Sequence, residues 1–210
     1  MEFKEVIEKR RAVNFFDTQK EVSPGLVREM VEMAALTPSS FNLQPWSLMI
    51  LKDPGEKERL RELAMKQPKV TEAPVVMMIL ADRDSWKKGH AFVERNLDEM
   101  IRAGSMDEAG KDWFYNAASD LYGAGMEKTQ AFAVKNASFF AMSLMLAAQS
   151  LGLDTHPMDG FDHDGVLKEF GIPGNYWIPL LLAVGYFDKS KDMAPPKWRK
   201  TFDEIVVTFS

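Results

Sequence analysis

The sequence predicts a layered α/β or α+β domain built round a central sheet, on three observations. Helical and strand-type patterns alternate along the chain. PVVMMILA at 74–81 and WIPLLLAVGY at 177–186 are continuous apolar runs of strand length, as expected of buried strands. From about 126 to 151 runs a long helix, apolar nearly all round in its second half, which suits a domain centre or a subunit interface. With 210 residues, 46% of them hydrophobic, the chain can bury a sizeable core.

Each element has a local cause. Residues 2–10 place Phe3, Val6 and Ile7 on one helical face. Ser23 and Pro24 supply an N-cap and a first-turn proline. Leu26, Val27, Met30, Val31 and Ala34 follow at helical spacing until Pro38 stops the helix. Residues 47–52 read as a strand, and Asp53-Pro54 opens a helix with Leu60, Leu63 and Ala64 on its apolar face. Residues 85–125 read as an irregular helical segment, interrupted at Gly104, Gly110, Gly123 and Gly125 and rich in aromatics. Gly152 ends the long helix as a C-cap. EIVVTF, 204–209, reads as a terminal strand. No repeat, low-complexity stretch or linker divides residues 1–210, which read as one domain.

Composition excludes several function classes. The net charge of −5 comes from interspersed acids and bases, without the basic face a nucleic acid needs. With no cysteine, disulfides, thiolate metal sites and cysteine nucleophiles are ruled out. The N-terminus lacks a secretory pattern, and the apolar run at 137–148 is too short to span a bilayer. The expectation is a cytoplasmic protein without nucleic-acid or membrane partners.

The motifs divide more finely. Arg10-Arg11 at a helix end either clamps a phosphate or simply favours a helix C-terminus. KWRK, 197–200, on a proline-stiffened loop poses the same choice between phosphate site and solvated loop. HPMDGFDHDG, 156–165, tempts a metal reading, but a calcium loop would need an acid where Gly160 sits, and no zinc pattern is present. Asp162 or Asp164 more simply caps a helix carrying Val166, Leu167 and Phe170, and the expected metal content is none. The MDG turn lets backbone N–H groups approach a ligand closely. Gly123 and Gly125 lack the preceding strand and third glycine of a dinucleotide fingerprint, and Ser39-Ser40 is no nucleophile elbow. TPSSFNLQPW, 37–46, is unusual for a helix-to-strand loop in joining hydroxyls, amides and aromatics.

Taken in order, these motifs resemble the FMN-dependent nitroreductase family, NAD(P)H oxidoreductases. An early Arg-Arg is followed by PSSFNLQPW, a Gln-Pro-Lys segment before a buried strand, a long apolar helix ending LGLDT, PMDGFD, and a late Lys-x-Arg. The resemblance covers essentially the whole chain. It implies an α+β fold with a central, mainly antiparallel sheet wrapped by helices, in an intertwined homodimer with C-terminal strand exchange. FMN is the implied cofactor, held in the dimer interface, with NADH or NADPH as electron donor.

By position, the resemblance assigns Arg10, Arg11, Lys197 and Arg199 to the FMN phosphate. Pro38, Ser39, Ser40 and Asn42 would approach the flavin from the other subunit, and Gln67 and Lys69 would address its pyrimidine edge. Met158, Asp159 and Gly160 would lie against the ring, with the Gly160 N–H directed at N5. No catalytic side chain is implied, because the chemistry is at flavin N5: hydride arrives from NAD(P)H and passes, ping-pong, to a nitroaromatic, quinone or similar electron-poor small molecule. Residues 85–125 would form a lid, with Phe41, Trp113, Phe114 and Tyr115 lining the substrate pocket; the three lid aromatics either stack on a planar acceptor or pack as core. Two alternatives keep the flavin: a reductive dehalogenase or flavin-destructase relative, and a flavin-binding protein without turnover. The chain departs from the family at Ala12 and Asn14, where a serine and a cation are usual. Unless Lys69 compensates, the loss of positive charge predicts a lower flavin potential.

Overall fold

The computed structural model describes residues 2–208. Four strands, β1 (Trp46–Leu51), β2 (Val75–Asp82), β3 (Asp154–Met158) and β4 (Tyr176–Gly185), form one sheet in the order β1-β2-β4-β3. Every pairing is antiparallel, as the resemblance implies. The helices are α1 (Phe3–Lys9), α2 (Pro24–Ala34), α3 (Pro54–Leu63), α4 (Lys69–Glu72), α5 (Ala91–Arg102), α6 (Gly110–Tyr122), α7 (Met126–Ser150), α8 (His163–Glu169) and α9 (Phe202–Ile205).

The sheet is buried on both faces, which is why its central strands are apolar without alternation. Strand periodicity still sorts the residues. Val75, Met77, Ile79 and Ala81 of β2 face one core, with Leu182 and Val184 of β4 and the inner faces of α2, α5, α6 and α7. Val76, Met78 and Leu80 face a second core, with Leu181 and Ala183 of β4, Val13, Phe16 and the inner faces of α3, α4 and α8. Although α7 is by length and composition able to cross a bilayer, its apolar inner face packs on the sheet and α2. It ends where expected, with Gly152 in the left-handed region at φ 77°.

The structure corrects several sequence expectations. Residues 202–205 are not strand but the helical turn α9, closed by a capping box in which Glu204 Oε2 accepts from the Thr201 N–H at 2.7 Å. The Thr-x-x-Glu signature outweighs the β-branched run that follows it. Val206 is extended and pairs with no strand among the described residues, and Phe209 lies outside them. β3 falls within the segment read only as a motif; Pro157 is tolerated there because β3 is an edge strand. Gly110 begins α6 rather than interrupting a helix. Of the α1 face, only Val6 is buried, while Phe3 and Ile7 are exposed.

Candidate functional site

Residues 10–14 leave α1 and run beside β3, bridged through Ala12 and Thr155, with the Val13 N–H donating to Thr155 O at 3.1 Å. The proline-stiffened segment 193–199 lies across from them, tied down where Arg11 Nη2 donates to Ala194 O at 2.6 Å. Between these strips opens a cleft of about 630 Å³. Arg10, Arg11, Lys197 and Arg199 all line it, although some 190 residues separate the two pairs in sequence. Asn14 and His156 add polar groups, and Met142 of α7 closes one side.

The electrostatics of this cleft are one-sided. Burial, and then the charges of Arg199 and Arg11, push the Arg10 guanidinium below its ordinary value. Among the described residues none of the four cations forms an ion pair. Half-buried Arg10 and Arg11 and exposed Lys197 and Arg199 outnumber Glu8 and Asp192 in the cleft, a donor set suited to a phosphate.

A second strip adjoins the first. Gln67 Nε2 donates to Gly160 O at 2.9 Å, joining the turn before α4 to the turn after β3. Any side chain at Gly160 would press on Met65, since a Cβ there would sit 3.0 Å from Met65 Sδ. The Gly160 N–H donates to no described partner. Lys69 opens α4, and its charge is felt at His156. Lys57 steadies this strip from behind: its buried ammonium donates to Ala73 O at 2.8 Å and Thr71 O at 3.3 Å, capping α4. Burial lowers the Lys57 pKa. Met158 is only 3% exposed, so its side chain belongs to the second core, and Asp159 is exposed beside Gly160.

The loop at 37–46 is anchored from two helices. Ser40 N–H donates to Asn136 Oδ1 of α7 at 3.1 Å, and Lys135 Nζ donates to Ser40 Oγ at 3.1 Å. Asn42 Nδ2 donates to Asn96 Oδ1 of α5 at 2.9 Å, and Asn96 Nδ2 donates to Phe41 O at 3.0 Å. These bonds hold Phe41 and Asn42 at φ 52° and 54°, a left-handed conformation costly for residues with a Cβ. Gln44 follows at φ 45°, its N–H bonded to Ser39 Oγ at 2.9 Å. Sequence reasoning missed Asn96 and Asn136; an amide standing in the apolar register of α7 was the available signal.

Pro38, Ser39, Ser40 and Asn42 do not line the cationic cleft of their own chain. They sit by Lys135, whereas the cleft is reached at Met142, two turns or about 10 Å along α7. Lys135, Phe139 and Met142 share one outward stripe of that helix, with Phe139 51% exposed.

The aromatics expected to line a substrate pocket are divided. Phe114 is only 1% exposed and packs as core, the second of the two readings open for the lid aromatics, because of its inward position on α6. Trp113, next in sequence, is 65% exposed. Phe41 packs edge-on against both, with ring centroids 5.1 Å from Phe114 and 6.3 Å from Trp113. The Tyr115 hydroxyl donates to Glu94 Oε2 at 2.7 Å; burial and then that carboxylate push its pKa up to about 12.

Asp162 and His163 within 156–165 have structural partners. Asp162 caps α8 through the Gly165 N–H, and His163 stacks on Trp177 at 3.8 Å while Nε2 accepts from the Ile178 N–H.

With this geometry in hand, comparison with known proteins is decisive. The sequence profile of the nitroreductase family matches residues 7–186. The chain belongs to the nitroreductase family. This nitroreductase-family chain is 34% identical over 178 residues to the NADH dehydrogenase of Thermus thermophilus, covering 85% of this chain and 83% of that one. It is similar in fold to Bacillus subtilis ydfN, assigned as a nitroreductase, with a TM-score of 0.90 at 27% identity over 99% and 98% of the two chains. An Exiguobacterium sibiricum protein, likewise assigned as a nitroreductase and solved with FMN, superposes with a TM-score of 0.84 at 25% identity over 98% and 96% of the chains.

Proposed function

We propose that this nitroreductase-family protein is a cytoplasmic, homodimeric FMN enzyme that uses NADH or NADPH to reduce nitroaromatics, quinones or similar electron-poor acceptors. The observation that carries the reading is the cleft where Arg10, Arg11, Lys197 and Arg199 converge, outnumbering the two lining acids, Glu8 and Asp192, with none of the four cations in an ion pair among the described residues. A phosphate there would replace mutual repulsion with charge-assisted hydrogen bonds. Bound FMN would supply two-electron chemistry that no side chain of this cysteine-free protein offers.

The chain's own groups bind and orient. The four cations would hold the phosphate, and Gln67 and Lys69 would address the pyrimidine edge. The Gly160 N–H, without a described partner, is available to N5, with Asp159 beside it and Met158 fixing the turn from within the core. Asn14 contributes a neutral amide to the cleft. Ping-pong turnover requires one face of the site to stay open to donor and acceptor in turn. The lid at about 85–125 would border that face, with exposed Trp113 as its stacking surface and half-buried Phe41 and Tyr115 behind it.

The exposed stripe of α7 supports the homodimer reading. One end of its exposed stripe carries the Ser39–Asn42 loop and the other reaches the cleft at Met142. A twofold axis between two such stripes would place each loop at the other subunit's cleft. It would also cover Phe139 and Met142, and the extended residues after α9 would reach across the partner.

The test is spectroscopic. Purified protein should take up FMN, lose its yellow colour anaerobically with NADH or NADPH, and regain it with a nitroaromatic or quinone. Bound FMN that neither nucleotide reduces would leave a binding protein without turnover. A chain unable to take up FMN would remove the proposal altogether.

A further inference from the structure

His156 lines the cationic cleft, yet the cofactor assignment gives it no task. Its Nδ1 lies 2.7 Å from Val13 O, an atom that can only accept, so Nδ1 carries hydrogen and Nε2 is the basic nitrogen. That bond fixes the ring, because Val13 is itself strapped to β3 through Thr155. We propose that His156 is a further cofactor-binding residue, taking up a proton from solvent at Nε2 as FMN enters the cleft. The proposal rests on the reading of this cleft as the FMN site.

Lys69 is the charge felt at the ring itself, and the other charges line the same cleft. From α1 and the residues after it come Arg10, Arg11 and the single acid Glu8. From α4 comes Lys69, and from the C-terminal segment Lys197, Arg199 and Asp192. On β3 itself, Asp154 is committed to the Phe187 N–H at 2.8 Å, and α7 contributes only uncharged Met142. Cations therefore outnumber acids, and burial followed by the Lys69 charge holds the imidazole below its ordinary value, opposed only by the Val13 bond. A phosphate monoester brings about 1.5–2 negative charges near neutral pH. Placed among these cations, it reverses the local balance and makes imidazolium the favoured form.

The sign follows by linkage. If the imidazole pKa is higher in the complex than in the free protein, binding tightens as pH falls through the interval between the two values. A rise of one unit gives up to a tenfold gain in affinity. FMN loses its own second phosphate proton near pH 6, so wild type must be compared with His156→Gln, which keeps polar groups but does not titrate.

The experiment measures the FMN Kd by fluorescence quenching from pH 8.5 to 6 in both proteins. It also records long-range proton–nitrogen NMR spectra of wild type with and without FMN. The proposal expects wild-type binding to tighten about tenfold more than the variant's, with both His156 nitrogens protonated in the complex near pH 6. Parallel binding profiles, or a bound imidazole that stays neutral at that pH, would overturn it. Should the variant fail to fold, the wild-type spectra decide alone. FMN that binds neither protein at any pH would overturn the cofactor reading and this one together, an outcome distinct from binding without proton uptake.

Discussion

Asn136→Ala tests whether the loop proposed to face the flavin is held by a single amide on the long helix. Asn136 is 1% exposed; its Oδ1 accepts from the Ser40 N–H at 3.1 Å and its Nδ2 donates to Phe132 O at 2.8 Å. Phe132 O keeps its place in the helix's own ladder, so the group stranded by truncation is the Ser40 N–H. A buried donor without a partner costs about 1–3 kcal/mol, and Ser40 is half-buried, so water relief brings the expectation to about 1–2 kcal/mol. At about 2–4 °C per kcal/mol for a chain of this size, the melting temperature should fall by about 2–8 °C. The loop then has to be ordered when FMN binds, and the same energy corresponds to about 5–30-fold weaker affinity. Circular-dichroism melts at one fixed protein concentration, with an FMN titration of the folded variant, read both quantities. A melting temperature within about 1 °C of wild type, with unchanged FMN affinity, would refute the reasoning.

Three further predictions separate roles the structure assigns. Phe114→Ala should cost about 3–5 kcal/mol in denaturant unfolding, whereas Trp113→Ala should stay within about 0.5 kcal/mol and change only the KM for planar acceptors. Lys57→Met removes a buried ammonium whose pKa is lowered in the folded protein, so the unfolded chain binds more protons just below its ordinary value of 10.5. Wild-type stability should therefore gain on the variant's as pH rises toward that value, and equal pH slopes in urea titrations would contradict it. Asn14→Lys restores a cation to the cleft and should raise the two-electron potential of bound FMN by about 20–40 mV, the equivalent of about 1–2 kcal/mol. A wild-type potential already well above that of free FMN would sink the premise behind that variant.

How much could be read from sequence depends on the range of the forces involved. β2, β4 and the body of α7 were legible because burial on both faces leaves a continuous apolar run. Asp162 at the start of α8 and Gly152 after α7 were legible because capping is local chemistry. β3 was not, because a five-residue edge strand containing Pro157 has too little pattern of its own. α9 was misread for the opposite reason: its cap lies in Thr201 and Glu204, while β-branched Val206 and Val207 dominate any local average. The paired amides Asn96 and Asn136 were invisible because their partners are the loop backbone and side chains 54 and 96 residues away. Phe114 and Trp113 could not be told apart until the helix phase was known.

The cationic cleft is the hardest case, and its physics explains why. A local reading of Arg10-Arg11 favours a solvated helix end, and the same reading of Lys197 and Arg199 favours a solvated loop. Folding overrides both by bringing the pairs together across residues 10–14 and 193–199. Folding alone gives no reason to do so, since burial and neighbouring cations oppose the charge on Arg10. Arg11 is not free to swing away while its guanidinium is bonded to Ala194 O, so part of the repulsion is fixed in the fold. Cations held together in this way would be relieved by an anion, which supports the proposed phosphate site independently of any sequence motif. Among the described residues lining that cleft His156 is the histidine, and by the proposal above charge entering the cleft would act on its imidazole.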